Sequence, residues 1–141
     1  MVANKKEANK TKVAREISQI FGGLESEQIA TLKEHVEVTK YKKGEMIYQC
    51  EGTPTDAMCL LTGKVKIFKD GINGKSQIIR VIKPNEFFGF RAYFANEIYK
   101  TAAQALDTCT VAHFPLPVLM KLLQKSYKIG YYFIKYLSVE I

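Results

Sequence analysis

The chemistry-bearing residues of this sequence gather in one stretch, Phe87 to Ala103, which reads FFGFRAYFANEIYKTAA. Gly89 lets a ligand and the backbone approach closely, because no Cβ stands between them. The segment Ala92 to Ala95 reads as a short helical stretch whose amide groups point toward the same spot. Eleven residues beyond Gly89, Lys100 supplies a positive charge and Thr101 a hydroxyl at the start of the next strand. Glycine, amide donors, a cation and a hydroxyl are the parts of an anion site. A loop that merely carries a surface lysine has the same composition, so the surrounding elements must decide.

Other chemistry is poorly supplied. His35 and His113 lie far apart, with no second histidine or carboxylate at metal-ligand spacing, and each reads as structural or surface-exposed. A metal-dependent β-barrel enzyme needs several histidines converging with a carboxylate, which two distant ones do not provide. No Gly-x-Ser-x-Gly or Gly-x-x-x-x-Gly-Lys is present, so neither a serine nucleophile elbow nor a mononucleotide loop is indicated. The expectation is a protein that is not an enzyme. Cys50, Cys59 and Cys109 are odd in number and lack Cys-x-x-Cys spacing, which suits small core residues in a reducing compartment.

The elements that must position the stretch follow from periodicity. Val13, Ile17, Ile20 and Phe21 recur at helical spacing and stop at Gly22-Gly23. Ser26 is placed to cap a second helix carrying Ile29, Leu32 and Val36 on one face. From Val36 the period shortens. Apolar or alternating segments at Val38, Tyr41, Met46 to Tyr48, Met58 to Leu61, Val65 to Phe68 and Ile78 to Ile82 are separated by glycine- and proline-bearing turns. Short strands at such spacing argue for an all-β sandwich or barrel. The clearest hairpin sets Val65-Lys66-Ile67 against Ile79-Arg80-Val81. Two more strands are expected near Thr101 to Ala105 and Thr108 to Phe114.

After Pro115-Leu116-Pro117 the helical period returns, first as Val118, Leu119, Leu122 and Leu123, then as Ile129, Phe133, Tyr136 and Leu137. The final helix, from about Tyr127 to Ile141, is apolar on more than one side, with Tyr131, Tyr132 and Val139 outside the main stripe. Two readings stay open: a helix half buried in its own core, or one packed on a partner helix in a homodimer.

The chain has 141 residues, enough for one domain with a core of its own, and a net charge of +7. Within residues 1–16, Lys5, Lys6, Lys10, Lys12 and Arg15 oppose only Glu7 and Glu16, and residues 1–12 read as a basic, flexible leader ahead of a domain over 13–141. Contact of that leader with nucleic acid or an acidic partner is the sharper alternative. No apolar run reaches the roughly eighteen residues a membrane span requires, and no secretory signal pattern follows the basic start. The expected compartment is the cytoplasm, with no membrane partner.

In its order of elements the chain resembles the cyclic-nucleotide-binding sensor domain of Crp/Fnr-type transcription regulators. The landmarks are Leu24 with Ile29, Tyr41-Lys42-Lys43-Gly44-Glu45, Glu51-Gly52, Leu61-Thr62-Gly63-Lys64-Val65, and Lys83-Pro84-Asn85-Glu86-Phe87-Phe88-Gly89. The resemblance implies a double-stranded β-helix (jelly-roll) that is mainly β, with N-terminal helices and a C-terminal dimerisation helix. It further implies a ligand site at Gly89, Phe90, Arg91, Ala92, Lys100, Thr101 and Ala102. In the family the residue after the glycine is Glu, which binds the ribose hydroxyl, and an Arg corresponds to Lys100 and clamps the cyclic phosphate. Here Phe90 and Lys100 stand in those places.

The substitutions change the chemistry. Phenylalanine accepts no hydrogen bond, and a buried hydroxyl without a partner costs about 1–3 kcal/mol. Lysine keeps the charge but loses the planar two-pronged fit to phosphate. A combined loss of about 2–4 kcal/mol corresponds to about 30- to 1,000-fold in affinity. Cyclic nucleotide is therefore not expected to bind tightly, and the effector is unknown. Arg91, Lys100 and Thr101 would hold a different anionic or aromatic small molecule; alternatively Arg91 forms a salt bridge to Glu86 or Glu97 and the aromatics fill the pocket. Because the sequence stops within the last helix, the resemblance implies DNA contact only through a helix-turn-helix domain outside these residues. The expected whole is the sensor half of a longer regulator, with a closed scaffold or interaction domain as the alternative.

Overall fold

The structure, a computed structural model, describes the backbone of residues 2–140 and the side chains of residues 9–138. Elements run α1 (Val2–Ile20), α2 (Ser26–His35), β1 (Glu37–Tyr41), β2 (Met46–Tyr48), β3 (Asp56–Thr62), β4 (Val65–Asp70), β5 (Ser76–Ile82), β6 (Phe87–Phe88), α3 (Arg91–Phe94), β7 (Ala102–Ala105), β8 (Cys109–Pro115), α4 (Leu116–Lys125) and α5 (Tyr127–Glu140). They divide into two compact units, the strands of residues 38–116 and the helices from the two ends of the chain. The mainly β fold with flanking helices is the one that the periodicity and the resemblance imply.

In the β unit two four-stranded sheets form, ordered β1-β8-β3-β6 and β2-β7-β4-β5. Apart from the β4–β5 hairpin, consecutive strands alternate between the two sheets, so each of the other connections carries the chain to the opposite layer. One core joins the two: Met58, Leu60, Phe88, Cys109 and Val111 from one sheet meet Val65, Ile82, Ala103 and Ala105 from the other. Such a sandwich interior is the main favourable term for a domain of this size, at about 25 cal/mol per Å² of apolar surface buried.

The β4–β5 hairpin pairs Lys66 with Val81 and Ile67 with Arg80, then a bulge sets Phe68 opposite Ile78. On its outer strand the apolar side chains Ile78, Ile79 and Val81 are 54%, 53% and 39% exposed. As an edge strand, β5 has no further strand beyond it to cover those side chains. Lys66 lies 4.7 Å from the ring centroid of Phe68 and covers part of the neighbouring apolar face. Cys59 and Cys109 are buried as expected, but Cys50 is exposed, because it lies in the turn after β2 rather than on an inward strand position.

In the helical unit α1 extends back to Val2, taking in the segment that charge alone reads as a leader. Its Val13, Ala14, Ile17 and the following Phe21 are buried, as are Ile129 and Phe133 of α5. Phe21 meets Tyr132 edge-on at 5.3 Å. The Lys128 ammonium donates to the carbonyls of Gly22 (3.3 Å) and Gly23 (3.0 Å) just past the end of α1. The buried Ser18 hydroxyl accepts from the Leu24 amide at 2.8 Å. The N-cap of α2 is Glu25, not Ser26. Gln28 decides the point, since its side-chain carbonyl accepts the Glu25 amide at 3.2 Å and closes the first turn one residue earlier.

Gly63 makes the β3–β4 turn at φ +97°, and a Cβ there would lie 2.5 Å from the Thr108 carbonyl and 2.8 Å from Cys109 Sγ. Backbone on one side and a buried thiol on the other leave no direction for relief. Gly63→Ala is expected to lower stability by about 2–4 kcal/mol, from the left-handed strain and overpacking together. Urea unfolding of the variant checks it, and a loss under about 1 kcal/mol contradicts this account of the turn.

Candidate functional site

The stretch that opens on Phe87 leaves the first sheet at its edge. β6 pairs with β3, setting Phe88 opposite Met58 and Phe87 opposite Cys59. Both phenylalanines are buried, so the strand is anchored up to the residue before Gly89. Gly89 then turns at φ +81°, and a Cβ on it would collide with Met58 Cε. Close approach is real here, but the approaching group is the protein's own methionine.

Beyond Gly89 the chain makes one turn of helix, α3, with Phe90 as its N-cap. Phe90 is 1% exposed and sets its ring edge-on to Phe94 at 6.0 Å. Arg91 is exposed and Ala92 half-buried. A single turn sums few peptide dipoles, so the amide donors expected near Ala92 to Ala95 carry little field of their own. At the other end of the stretch Lys100 is 71% exposed and pairs with Glu97 at 2.7 Å. Thr101 is half-buried and Ala102 buried. Glu86, the other carboxylate considered for Arg91, pairs with Arg80 at 2.8 Å.

Two residues absent from the sequence-based set tie these parts together. Tyr99, 7% exposed, stacks its ring on Tyr48 with centroids 3.9 Å apart and planes 16° from parallel. The Tyr99 hydroxyl donates to the Gly89 carbonyl at 3.0 Å. The Tyr48 hydroxyl lies 3.4 Å from Thr101 Oγ1. Gly89 and Thr101 are thus bridged through an aromatic pair, whereas Phe90 is buried and Lys100 faces solvent. The backbone of Tyr99 is fixed as well: its amide donates to Gly52 (2.9 Å) and its carbonyl accepts from Glu51 (2.8 Å).

Electrostatics keep both phenols protonated. Burial pushes the Tyr99 hydroxyl well above the ordinary tyrosine range, with the neighbouring Tyr48 and Asp56 adding to the rise. Burial raises Tyr48 too, opposed by its hydrogen bond to Thr101. Tyr99 therefore remains a donor to Gly89 throughout the physiological range. The only available signals in the sequence were the tyrosine directly before Lys100 and the one ending β2. Their meeting depends on the β2–β7 pairing of Tyr48 with Ala103, a long-range register that local pattern does not reveal.

A second polar cluster lies in the first sheet, where His113 Nε2 is 2.9 Å from the Tyr41 hydroxyl and Nδ1 is 3.6 Å from Asp56. Burial lowers the His113 pKa, and the nearby Asp56 opposes that shift. This agrees with a structural histidine. Among the described residues no group of three or more His, Cys, Asp or Glu side chains could hold a metal ion. No described helix is long and apolar enough to cross a membrane.

Two four-stranded antiparallel sheets with flanking helices, and a one-turn helix in the loop between β6 and β7, define a mainly β domain of the jelly-roll class. The sequence pattern of the family described as "Cyclic nucleotide-binding domain" matches residues 38–126, and the chain belongs to that family. A curated relative, the CRP-like cAMP-activated global transcriptional regulator of Mycobacterium tuberculosis, is 29% identical over 76 residues, covering 53% of this chain and 34% of that protein. The chain thus spans about a third of the length of that relative. Among solved structures, the sensor domain of the transcriptional regulator DNR from Pseudomonas aeruginosa superposes with a TM-score of 0.76 at 19% identity, over 92% of this chain and 89% of that one. The Thermus thermophilus catabolite activator protein gives 0.73 at 17% identity, over 84% of this chain and 56% of that one. At these identities the two structures show the shared fold.

The burial of Phe90 generates a direct test. Phe90→Glu, the residue type that the resemblance implies at this position, would replace a ring in the core with a carboxylate. The expected result is a loss of about 3 kcal/mol or more in unfolding free energy, with no gain of cyclic AMP affinity. A variant that keeps wild-type stability and acquires nucleotide binding would show that position 90 still faces the ligand.

Proposed function

We propose that this chain is the sensing and dimerising domain of a Crp/Fnr-type transcription regulator whose cyclic-nucleotide site has lost tight nucleotide binding, with no enzymatic activity. Family membership and the shared fold support the class. The observation that carries the loss is the pairing of a buried Phe90 with a Lys100 committed to Glu97 at the surface. A cyclic nucleotide would find no acceptor for its ribose hydroxyl. Its phosphate would meet a flexible ammonium already engaged in an exposed ion pair instead of a planar fork. Any effector would act by favouring one orientation of α5 over another, and so of DNA-binding parts outside this chain.

Dimerisation is assigned to α5, supported by its unpartnered stripe. Tyr127, Tyr131 and Ile134 stand at helical spacing and are 83%, 65% and 67% exposed, large apolar side chains that a second copy would cover. DNA contact is assigned to a helix-turn-helix domain beyond these residues, and the cytoplasm remains the proposed compartment. The stacked Tyr48–Tyr99 pair favours a second reading, a permanently closed interaction domain on the same fold.

Calorimetric titration of the chain with cyclic AMP is expected to give no micromolar binding. A dissociation constant at or below about 10 μM, roughly −7 kcal/mol, would refute the loss. Tyr131→Glu combined with Ile134→Glu is expected to weaken self-association at least about 100-fold, as two large apolar contacts disappear. Sedimentation equilibrium measures this, and an unaltered dimer in the double variant would remove α5 from the interface.

A further inference from the structure

We infer that Tyr99 is the specificity-determining residue of this site: a tethered occupant whose phenol ring holds the position a ligand would take between Gly89 and Thr101. This rests on the reading that the cyclic-nucleotide site is altered, and it names what replaces the nucleotide. The ring makes both kinds of contact a bound hydroxyaryl compound would make. Its face lies on Tyr48 at 3.9 Å, and its hydroxyl donates to the Gly89 carbonyl at 3.0 Å. Tyr48 in turn reaches Thr101 Oγ1 at 3.4 Å, so the hydroxyl at the start of β7 is taken up within the same group of contacts.

Tethering gives this occupant an advantage over any free one. The Tyr99 backbone is clamped to Glu51 and Gly52, so only side-chain torsions are left to fix when the ring docks. An intramolecular group of this kind acts at an effective concentration in the millimolar range or above. A free hydroxyaryl molecule with the same contacts would have to exceed that concentration to displace it. A sugar phosphate meets a further obstacle, since the Gly89 carbonyl, an acceptor for its hydroxyls, is already paired and the ring leaves Tyr48 no open face on that side. The site therefore rejects nucleotides by occupation as well as by lacking their partners.

Removing the ring should create a vacancy of known shape, which 4-methylphenol, the free equivalent of the tyrosine side chain, can fill. Thermal unfolding of the full chain is measured for wild type, Tyr99→Ala and Tyr99→Phe with and without the compound. Tyr99→Ala is expected to melt lower than wild type and to recover about 3 °C or more in roughly 10 mM 4-methylphenol. Wild type and Tyr99→Phe, which keep the ring in place, are expected to show no such gain. A Tyr99→Ala chain that does not respond, or a wild type that responds equally, overturns the proposal. Should Tyr99→Ala not fold, the wild-type ring protons of Tyr99 decide: they are expected to be shielded by Tyr48 and to lose that shielding in Tyr48→Leu. Random-coil positions in the wild type would overturn the proposal. Titration with cyclic AMP keeps the two readings apart. Tight binding by wild type defeats the altered-site reading and this inference with it, while a silent Tyr99→Ala defeats only the tethered occupant.

Discussion

The left-handed backbone of Gly89, at φ +81° with the Met58 methyl packed where a Cβ would stand, is the constraint on which the site depends. Met58 sits on β3, inside the core shared by the two sheets, and pairs across the ladder with Phe88. β6 is only two residues long, and packing rather than length holds it in register. Because Phe87 and Phe88 are both buried, the backbone reaches Gly89 at one height and in one direction. The positive φ then delivers its carbonyl to the Tyr99 hydroxyl. Sheet order, core composition and the site are in this sense one arrangement, with the methionine at its pivot.

The same backbone frame serves a chemistry different from the one its spacing suggests. A glycine and a basic residue stand eleven positions apart, the spacing that the resemblance assigns to an anion cassette. The interior between them is neutral and aromatic: two protonated phenols, a hydroxyl from Thr101 and small alanines. Charge lies outside, where Lys100 and Glu97 neutralise one another in water and contribute little to stability. Backbone shape depends on glycines and core packing, whereas affinity depends on a few polar tips.

Much of this was legible in the sequence. The change of period at Val36 and its return after Pro117 bracket the strands, and the Lys66–Val81 and Ile67–Arg80 pairs lie where alternation places them. These features are local, and hydrophobic period is a local signal. What escaped depended on distant partners. The apolar segment at Ile78, Ile79 and Val81 does not say whether another strand will cover it, and these side chains are exposed. Glu25 and Ser26 are both competent caps, and the reciprocal bond from Gln28 chose between them. The Tyr48–Tyr99 stack required strands from opposite ends of the barrel sequence to lie side by side, a matter of topology rather than composition.

The ammonium of Lys128 has a bearing on the outward face of α5. It neighbours Tyr127 in sequence, and it holds two carbonyls just past the end of α1. A helix tied at one side near its first turn cannot roll about its own axis without dragging or releasing that tie. The turn at Gly22 and Gly23 thus acts as an index mark, fixing which angular sector of α5 carries Tyr127, Tyr131 and Ile134 to the outside. Whatever meets that sector meets it at a set phase, and the N-terminal helix is what sets it.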